Sequence, residues 1–155
     1  MDRMAIKTHF IRKLKELTGN QYSITGEFPE DVKDIAIVVS IINERQVTGY
    51  GTGRISYDFI NDTEETLYIS IFTIGITVYA PIDEEATNIC GALQDIFKSK
   101  RHAFISLSPK ITNVSDASSV SMPTMREHGT RKTWASQINI ELTGSEIIKT
   151  ELTRG

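Results

Sequence analysis

The stretch ISIFTIGITVYAPIDEEATNICGALQDIFKSK, residues 69–100, changes its hydrophobic period halfway along. Up to Val78 the side chains alternate, with Phe72, Ile74, Ile76 and Val78 on one face and Ile69, Ile71 and Thr73 on the other. That period of two is the signature of a β-strand. After Pro81-Ile82-Asp83 the spacing widens, and Ala86, Ile89, Cys90, Leu93, Ile96 and Phe97 form the buried stripe of an amphipathic helix. Asp83 is placed to cap that helix, with Glu84 and Glu85 in its first turn and Lys98, Lys100 and Arg101 at its far end. This is the sign order that the helix macrodipole favours.

Upstream, residues 53–79 read as a β-hairpin. Arg54 to Ile60 alternate, with Ile55, Tyr57 and Phe59 on one face, and 61–65 (Asn-Asp-Thr-Glu-Glu) form the turn. Gly49, Gly51 and Gly53 precede it as a flexible arm. The run IAIVVSII, 35–42, is nearly continuous in apolar residues and predicts a strand covered on both faces. Residues 20–33, with Gly26, Pro29 and the acidic Glu27, Glu30 and Asp31, read as a connection. A first helix is marked by Ile6, Phe10, Leu14 and Leu17, with Lys7, Arg12, Lys13 and Lys15 on its other faces and Gly19-Asn20 as its stop.

Downstream, 104–107 and 110–114 predict short strand pieces around Pro109, and the polar stretch 115–132 predicts a loop with some order near Val120. Residues 132–143 form a last, half-exposed strand, with Trp134, Ser136, Ile138, Ile140 and Leu142 on one face and Ala135, Gln137, Asn139 and Glu141 on the other. The end of the chain, 144–155, carries Ile147, Ile148 and Leu152, more apolar than a free tail, and predicts a docking segment. The expected fold is α+β: a mixed, mostly antiparallel sheet with two helices packed on one face. It forms a single domain, 1–155, with a flexible arm at about 47–62 and a C-terminal tail at about 144–155.

Composition agrees. With 155 residues there is room for one domain. Ile, Val and Thr number 22, 7 and 17 against 7 Leu, a bias toward side chains that suit a pleated sheet. A net charge of −3 supplies no global positive field to attract nucleic acid. The single cysteine cannot form an internal disulfide, which suits a reducing compartment. The N-terminal stretch is charged throughout, without the apolar core of a signal peptide, and no apolar run has the length of a membrane span.

Catalytic chemistry is sparse. His9, His102 and His128 lie far apart, and one cysteine cannot build a zinc knuckle. Cys90 sits on an apolar stripe, where a small buried hydrophobe is the default. No Ser occupies a nucleophile elbow. The glycines of 49–53 are followed by strand alternation rather than by Lys and a helix, unlike a phosphate loop. Asp58, Asp62, Glu64 and Glu65 lack the spacing of a calcium loop. Arg126, Arg131 and Lys132 beside Trp134 offer a basic surface for phosphate or an acidic partner, short of a nucleic-acid signature. The expectation is therefore no catalytic, cofactor-binding or metal-binding residues.

The organisation resembles the tail terminator (neck terminator) proteins of long-tailed bacteriophages. The resemblance runs from the amphipathic first helix through 69–100 to RKTWASQINIELTGSEI, 131–147, where Trp134, Ile138, Ile140, Leu142 and Thr143 fit a closing strand of the type W-x-x-x-I-x-I-x-L-T. It implies a structural virion protein of the tail or neck, assembled in the host cytoplasm. Such a protein forms a hexameric ring that caps the finished tail tube and offers a surface to the head connector. Its implied partners are further copies of itself, the tail tube protein, the head–tail connector or neck protein, and in some tails the sheath. The arm and tail become the candidate contacts, with Gly49, Gly51, Gly53, Arg54, Arg126, Arg131, Lys132, Glu141, Ile147, Ile148 and Leu152 as candidate interface residues. Separated acidic segments (58–65, 83–85) and basic ones (3–15, 98–101, 126–132) are suited to pairing between copies. A head-completion adaptor or other minor tail protein is the alternative, and a small ligand-binding α/β domain the third reading.

Overall fold

The computed structural model describes residues 1–28, 34–47, 53–128 and 131–152. The elements are α1 (Arg3–Leu17), β1 (Ser23–Thr25), β2 (Ala36–Val47), β3 (Gly53–Asp58), β4 (Thr63–Ala80) and α2 (Asp83–Ser99). A 3₁₀ turn (Arg101–Phe104), β5 (Ser106–Leu107), β6 (Lys110–Val114), β7 (Thr124–His128) and β8 (Arg131–Glu151) complete them. The fold is α+β. One eight-stranded sheet runs β1-β2-β4-β8-β6-β5, with β3 added to β4 and β7 to β8. Every pairing is antiparallel except β1 with β2.

The sheet is organised by β4 and β8, which pair without a register shift from Thr63↔Glu151 to Ala80↔Trp134. Such a ladder keeps the two alternations in phase, so one face collects Phe72, Ile74, Ile76 and Val78 of β4 with Ile138, Ile140 and Leu142 of β8. Both helices cover that face. α1 lies over β1 and β2, and α2 lies over β4 and β8. Ile6, Phe10 and Leu14 from α1 meet Cys90, Leu93 and Phe97 from α2 in a single core. At its centre Phe10, Phe97 and Phe104 stack, with ring centroids 5.9, 4.7 and 5.0 Å apart. The 3₁₀ turn is drawn inward to supply Phe104.

α1 starts at Asp2, whose side chain accepts a hydrogen bond from Ala5 N (3.1 Å), and ends through Gly19 (φ 64°) and Asn20 (φ 57°) in left-handed conformations. In α2, Ile82 takes the cap position. Asp83 instead begins the helix, where its carboxylate accepts from Glu84 N (2.8 Å). The acidic first turn is as expected, but Asp83 does not cap.

Other expectations are corrected. β2 is longer than 35–42 and is not covered on both faces. Ala36, Ile37 and Val39 are buried, whereas Ile42 bulges out at a register shift between Ile41 and Asn43. The hairpin turn falls at 59–62 rather than 61–65, which moves Phe59 from a strand face to the turn. Residues 23–25 of the expected connection pair with β2, and Pro29, Glu30 and Asp31 lie outside the described residues. Of 104–107, the first residue closes a 3₁₀ turn and only 106–107 are strand. Residues 144–151, read as a tail, are the last third of β8.

The polar stretch 115–132 is the largest correction. It contains β7, and before it Ser115, Ser118 and Ser121 are stitched along β8. Their amides donate to the carbonyls of Glu141, Asn139 and Gln137 (2.8, 2.9 and 3.0 Å). Their hydroxyls accept from the amides of the same three residues (2.8, 3.0 and 2.9 Å). Three residues of the stitch advance as far as two of β8, and serine oxygens replace the missing strand carbonyls.

Substituting Phe104 with Ala should cost about 3–5 kcal/mol in denaturant unfolding, since it empties the centre of the aromatic stack. Replacing Ser118 with Ala should cost about 1 kcal/mol by removing one acceptor from the stitched edge.

Candidate assembly interface

Beyond the helices the sheet continues as a three-stranded tongue made of β3, the first residues of β4 and the end of β8. α1 begins where the Met1 ammonium meets Glu146 Oε2 (2.9 Å), and Glu146 pairs with Tyr68. The strand past that point, back to Thr63, is about 17 Å long at ~3.4 Å per residue. Every residue of β8 from Ile147 to Glu151 is exposed, as are Arg54, Ile55 and Ser56. The tip is the turn 59–62. There Phe59 is 86% and Ile60 93% exposed.

This turn is rigidly built under its apolar tip. The Asp58 carboxylate accepts from Ile60 N (2.9 Å), Asn61 N (3.3 Å) and Asn61 Nδ2 (2.8 Å). The side-chain bond from Asn61, then the backbone bonds, hold its pKa below the ordinary carboxylate value and keep it ionised. Asp62 takes φ 50°, which Asp tolerates, and its side chain accepts from the Tyr57 hydroxyl. The Tyr57 and Phe59 rings meet edge to face at 4.7 Å. Arg54 lies 5.9 Å from the Tyr57 ring centroid and 3.8 Å from Glu64. Leu152 N donates to Asp62 O (2.8 Å), tying the end of β8 to the turn.

The expected interface residues divide into separate places. Gly53, Arg54, Ile147, Ile148 and Leu152 converge on the tongue, where β3 and the end of β8 flank β4 from either side. Gly53 has φ 102° and opens β3; Gly49 and Gly51 lie outside the described residues. Arg126 and Lys132 belong to the β7–β8 hairpin, as does the backbone of Arg131. Lys132 and Ile147 are separated by about 50 Å of strand path at ~3.3 Å per residue, so the basic cluster and the tongue are not one site. Glu141 lies between them, its backbone bonded to Ser115. Phe59 and Ile60 fall within the expected contact arm, 47–62, but are not among its individually expected interface residues, because a strand pattern continued through the turn hides which residue stands at the tip.

A second surface lies along α1. Met4, Lys7, Thr8 and Ile11, one stripe of the helix, face Thr25, Gly26, Glu27 and Phe28 across a groove of about 560 Å³. Lys7 Nζ donates to Gly26 O (3.0 Å), and a Cβ on Gly26 would stand 2.7 Å from Lys7 Cε. Glycine there lets the lysine stem lie flat on the groove floor. Phe28 packs edge-on against Tyr79 with centroids 4.9 Å apart.

Two groups with potential chemistry, Cys90 and His9, are occupied in packing. Cys90 is buried, and burial pushes its thiol up to about 12, so it is not an available thiolate. His9 is also buried. Arg12 Nη2 lies 3.1 Å from its Nδ1, and because Arg only donates, the proton sits on Nε2, which faces Phe104 O at 3.2 Å. Burial, with Arg12 and Lys13 nearby, lowers the His9 pKa against the opposing hydrogen bond to Phe104 and the charge of Glu16. Among the described residues no three His, Cys, Asp or Glu side chains are grouped to hold a metal ion, and no helix is long and apolar enough to cross a membrane. No family model matches the chain, and no curated protein matches it.

Two outcomes are expected. Stability should fall as pH drops below the unfolded His9 value of about 6.5, because the unfolded chain then binds a proton that the folded one resists. His9→Gln should flatten that part of the urea-midpoint profile between pH 7 and 5. The variant Phe59→Ser/Ile60→Ser should unfold within about 0.5 kcal/mol of wild type, as both side chains contribute surface rather than core.

Proposed function

We propose that this chain is a ring-forming structural protein of a long-tailed phage that terminates the tail tube and joins it to the head connector. The observation that carries the reading is the tongue. A sheet extended past its helices, with Phe59 and Ile60 at its tip and Ile147 and Ile148 on its last strand, presents apolar surface that a monomer leaves in water. Such surface suits a protein whose working state is an assembly. The order of elements supports the same reading: first helix, long strand, tight turn, second helix, closing strand. The closing-strand residues Ile138, Ile140 and Leu142 are fully buried, so that part of the pattern records core packing and leaves partner choice to the exposed tongue.

The functional weight falls on shape and contact surfaces, with Cys90 and His9 both committed to the core. A sheet face free of helices, carrying Gln137, Asn139 and Glu141, gives each copy a polar side as well.

The test is co-sedimentation of the purified protein with isolated tail tubes and, separately, with head connectors. Binding to tubes is expected, together with a species of about 104 kDa, six copies of the 17.4 kDa chain, at high concentration. Binding to connectors alone would assign the protein to head completion. Binding to neither would overturn the neck assignment.

A further inference from the structure

The outer edge of β8 is closed along most of its length and open at its end. β7 pairs with residues 131–135, the serines of 115–121 satisfy Gln137, Asn139 and Glu141, and β6 reaches Gly144. Along a strand, the backbone groups of successive residues point to opposite edges. Gln137, Asn139 and Glu141 direct theirs to the serines, and the ladder to β4 continues without a slip to Glu151. The N–H and C=O groups of Ile147, Lys149 and Glu151 therefore point away from β4. At the far end Leu152 N donates inward to Asp62 O, in phase with that alternation. Among the described residues nothing bonds to these outward groups. The opposite edge of the tongue is blunted by the bulge of β3 at Ile55, whereas this one is regular.

The side chains here are arranged symmetrically about Thr150: Ile148, Lys149, Thr150, Glu151 and Leu152 run aliphatic, cation, threonine, anion, aliphatic. Lys149, Thr150 and Glu151 are exposed, and neither charged side chain makes an ion pair or hydrogen bond with another described residue. Lys149 contributes only the smallest of the effects on the Asp58 carboxyl.

We propose that the ends of β8 from two copies pair antiparallel about a two-fold axis at Thr150, joining two tongues into one sheet. Thr150 then stands opposite its own copy, Lys149 opposite Glu151 twice, and Ile148 opposite Leu152 twice. Threonine pairs and opposite charges are favourable cross-strand neighbours, and the outward groups of Lys149 and Glu151 meet as hydrogen-bonded pairs. Other registers are poorer. An axis at Lys149 or Glu151 sets like charges opposite each other, and one at Ile148 brings the second strand against Ser145, beside β6. A second copy is favoured over an unrelated strand because this sequence is its own complement. Exposed ion pairs add little affinity, so backbone bonds and aliphatic pairs hold the contact while the charges fix its register. The contact goes beyond the neck assignment: it needs neither tube nor connector, and a two-fold pair does not by itself close a ring.

Sedimentation over a concentration series reads the pairing, with circular dichroism confirming the fold of each variant. Wild type is expected to form a dimer of about 35 kDa, twice the 17.4 kDa chain, before any larger species. Lys149→Glu and Glu151→Lys should each weaken it about tenfold, since each sets like charges opposite at both symmetric positions. Lys149→Glu/Glu151→Lys should restore it, because the exchanged charges again face their opposites at unchanged net charge. Thr150→Cys should cross-link to its own copy under mild oxidation, as directly opposed side chains stand about 5 Å apart at Cβ. Lys132→Cys, equally exposed at the other end of β8, should not, and the buried Cys90 stays out of the reaction. A wild type that stays monomeric into the millimolar range overturns the contact. So does an exchanged variant no better than its single parents, or cross-linking of Thr150→Cys no faster than that of Lys132→Cys. Tube binding judges the neck assignment separately in every case.

Discussion

The pairing of β4 with β8 is the constraint from which the rest of the molecule follows. Eighteen residues of β4 find partners in β8 without a slip, one from the middle of the chain and one from its end. Because side chains alternate strictly, this single register decides which residues of both strands meet the helices. β2, β3, β6 and β7 are then added at the flanks, and their bulges, at Ile42, Ile55 and Thr112, are where the flanking strands adjust to the central pair. The bulges bend the added strands while the central ladder stays continuous.

A ladder longer than its helical cover creates the molecule's two characters. Over the inner part, two helices and a triple phenylalanine stack bury the sheet face completely. Past Glu146 the same strands continue with no such cover, and Ile147 to Glu151 of β8 and Arg54 to Ser56 of β3 become surface. The edges are handled differently as well. The middle of β8, which would otherwise expose a row of amides and carbonyls, is closed by Ser115, Ser118 and Ser121. That arrangement satisfies an edge without adding another strand that could recruit a partner.

His9 and Cys90, of residue types that often suggest chemistry, both contribute to the packing of the core. His9 bridges Arg12 to the carbonyl of Phe104, fastening the 3₁₀ turn to the first helix, and Cys90 fills the interface between α2 and the sheet. The role of Cys90 was legible from its place on the apolar stripe of α2, whereas that of His9 was not, since its burial depends on a carbonyl 95 residues away.

The sequence by itself determined the local elements whose hydrophobic period runs unbroken. Both helices, the β3–β4 hairpin, the inward faces of β4 and β8, and the α+β class with both helices on one side are all legible in the spacing of Ile, Phe and Leu. Period and propensity are properties of neighbouring residues, so a one-dimensional reading captures them. The tertiary structure alone decided the rest. Gly144 to Glu151 reads as an apolar tail until β4 is there to pair it, and the serines of 115–121 read as a loop until β8 offers amides at matching intervals. In the same way, Arg54 and Ile147, 93 residues apart, fall in one tongue while Lys132, nearer to Ile147 in sequence, lies at the other end of the sheet. Strand pairing is a long-range choice made by register and burial together, and it is this choice that sets which surface residues become neighbours.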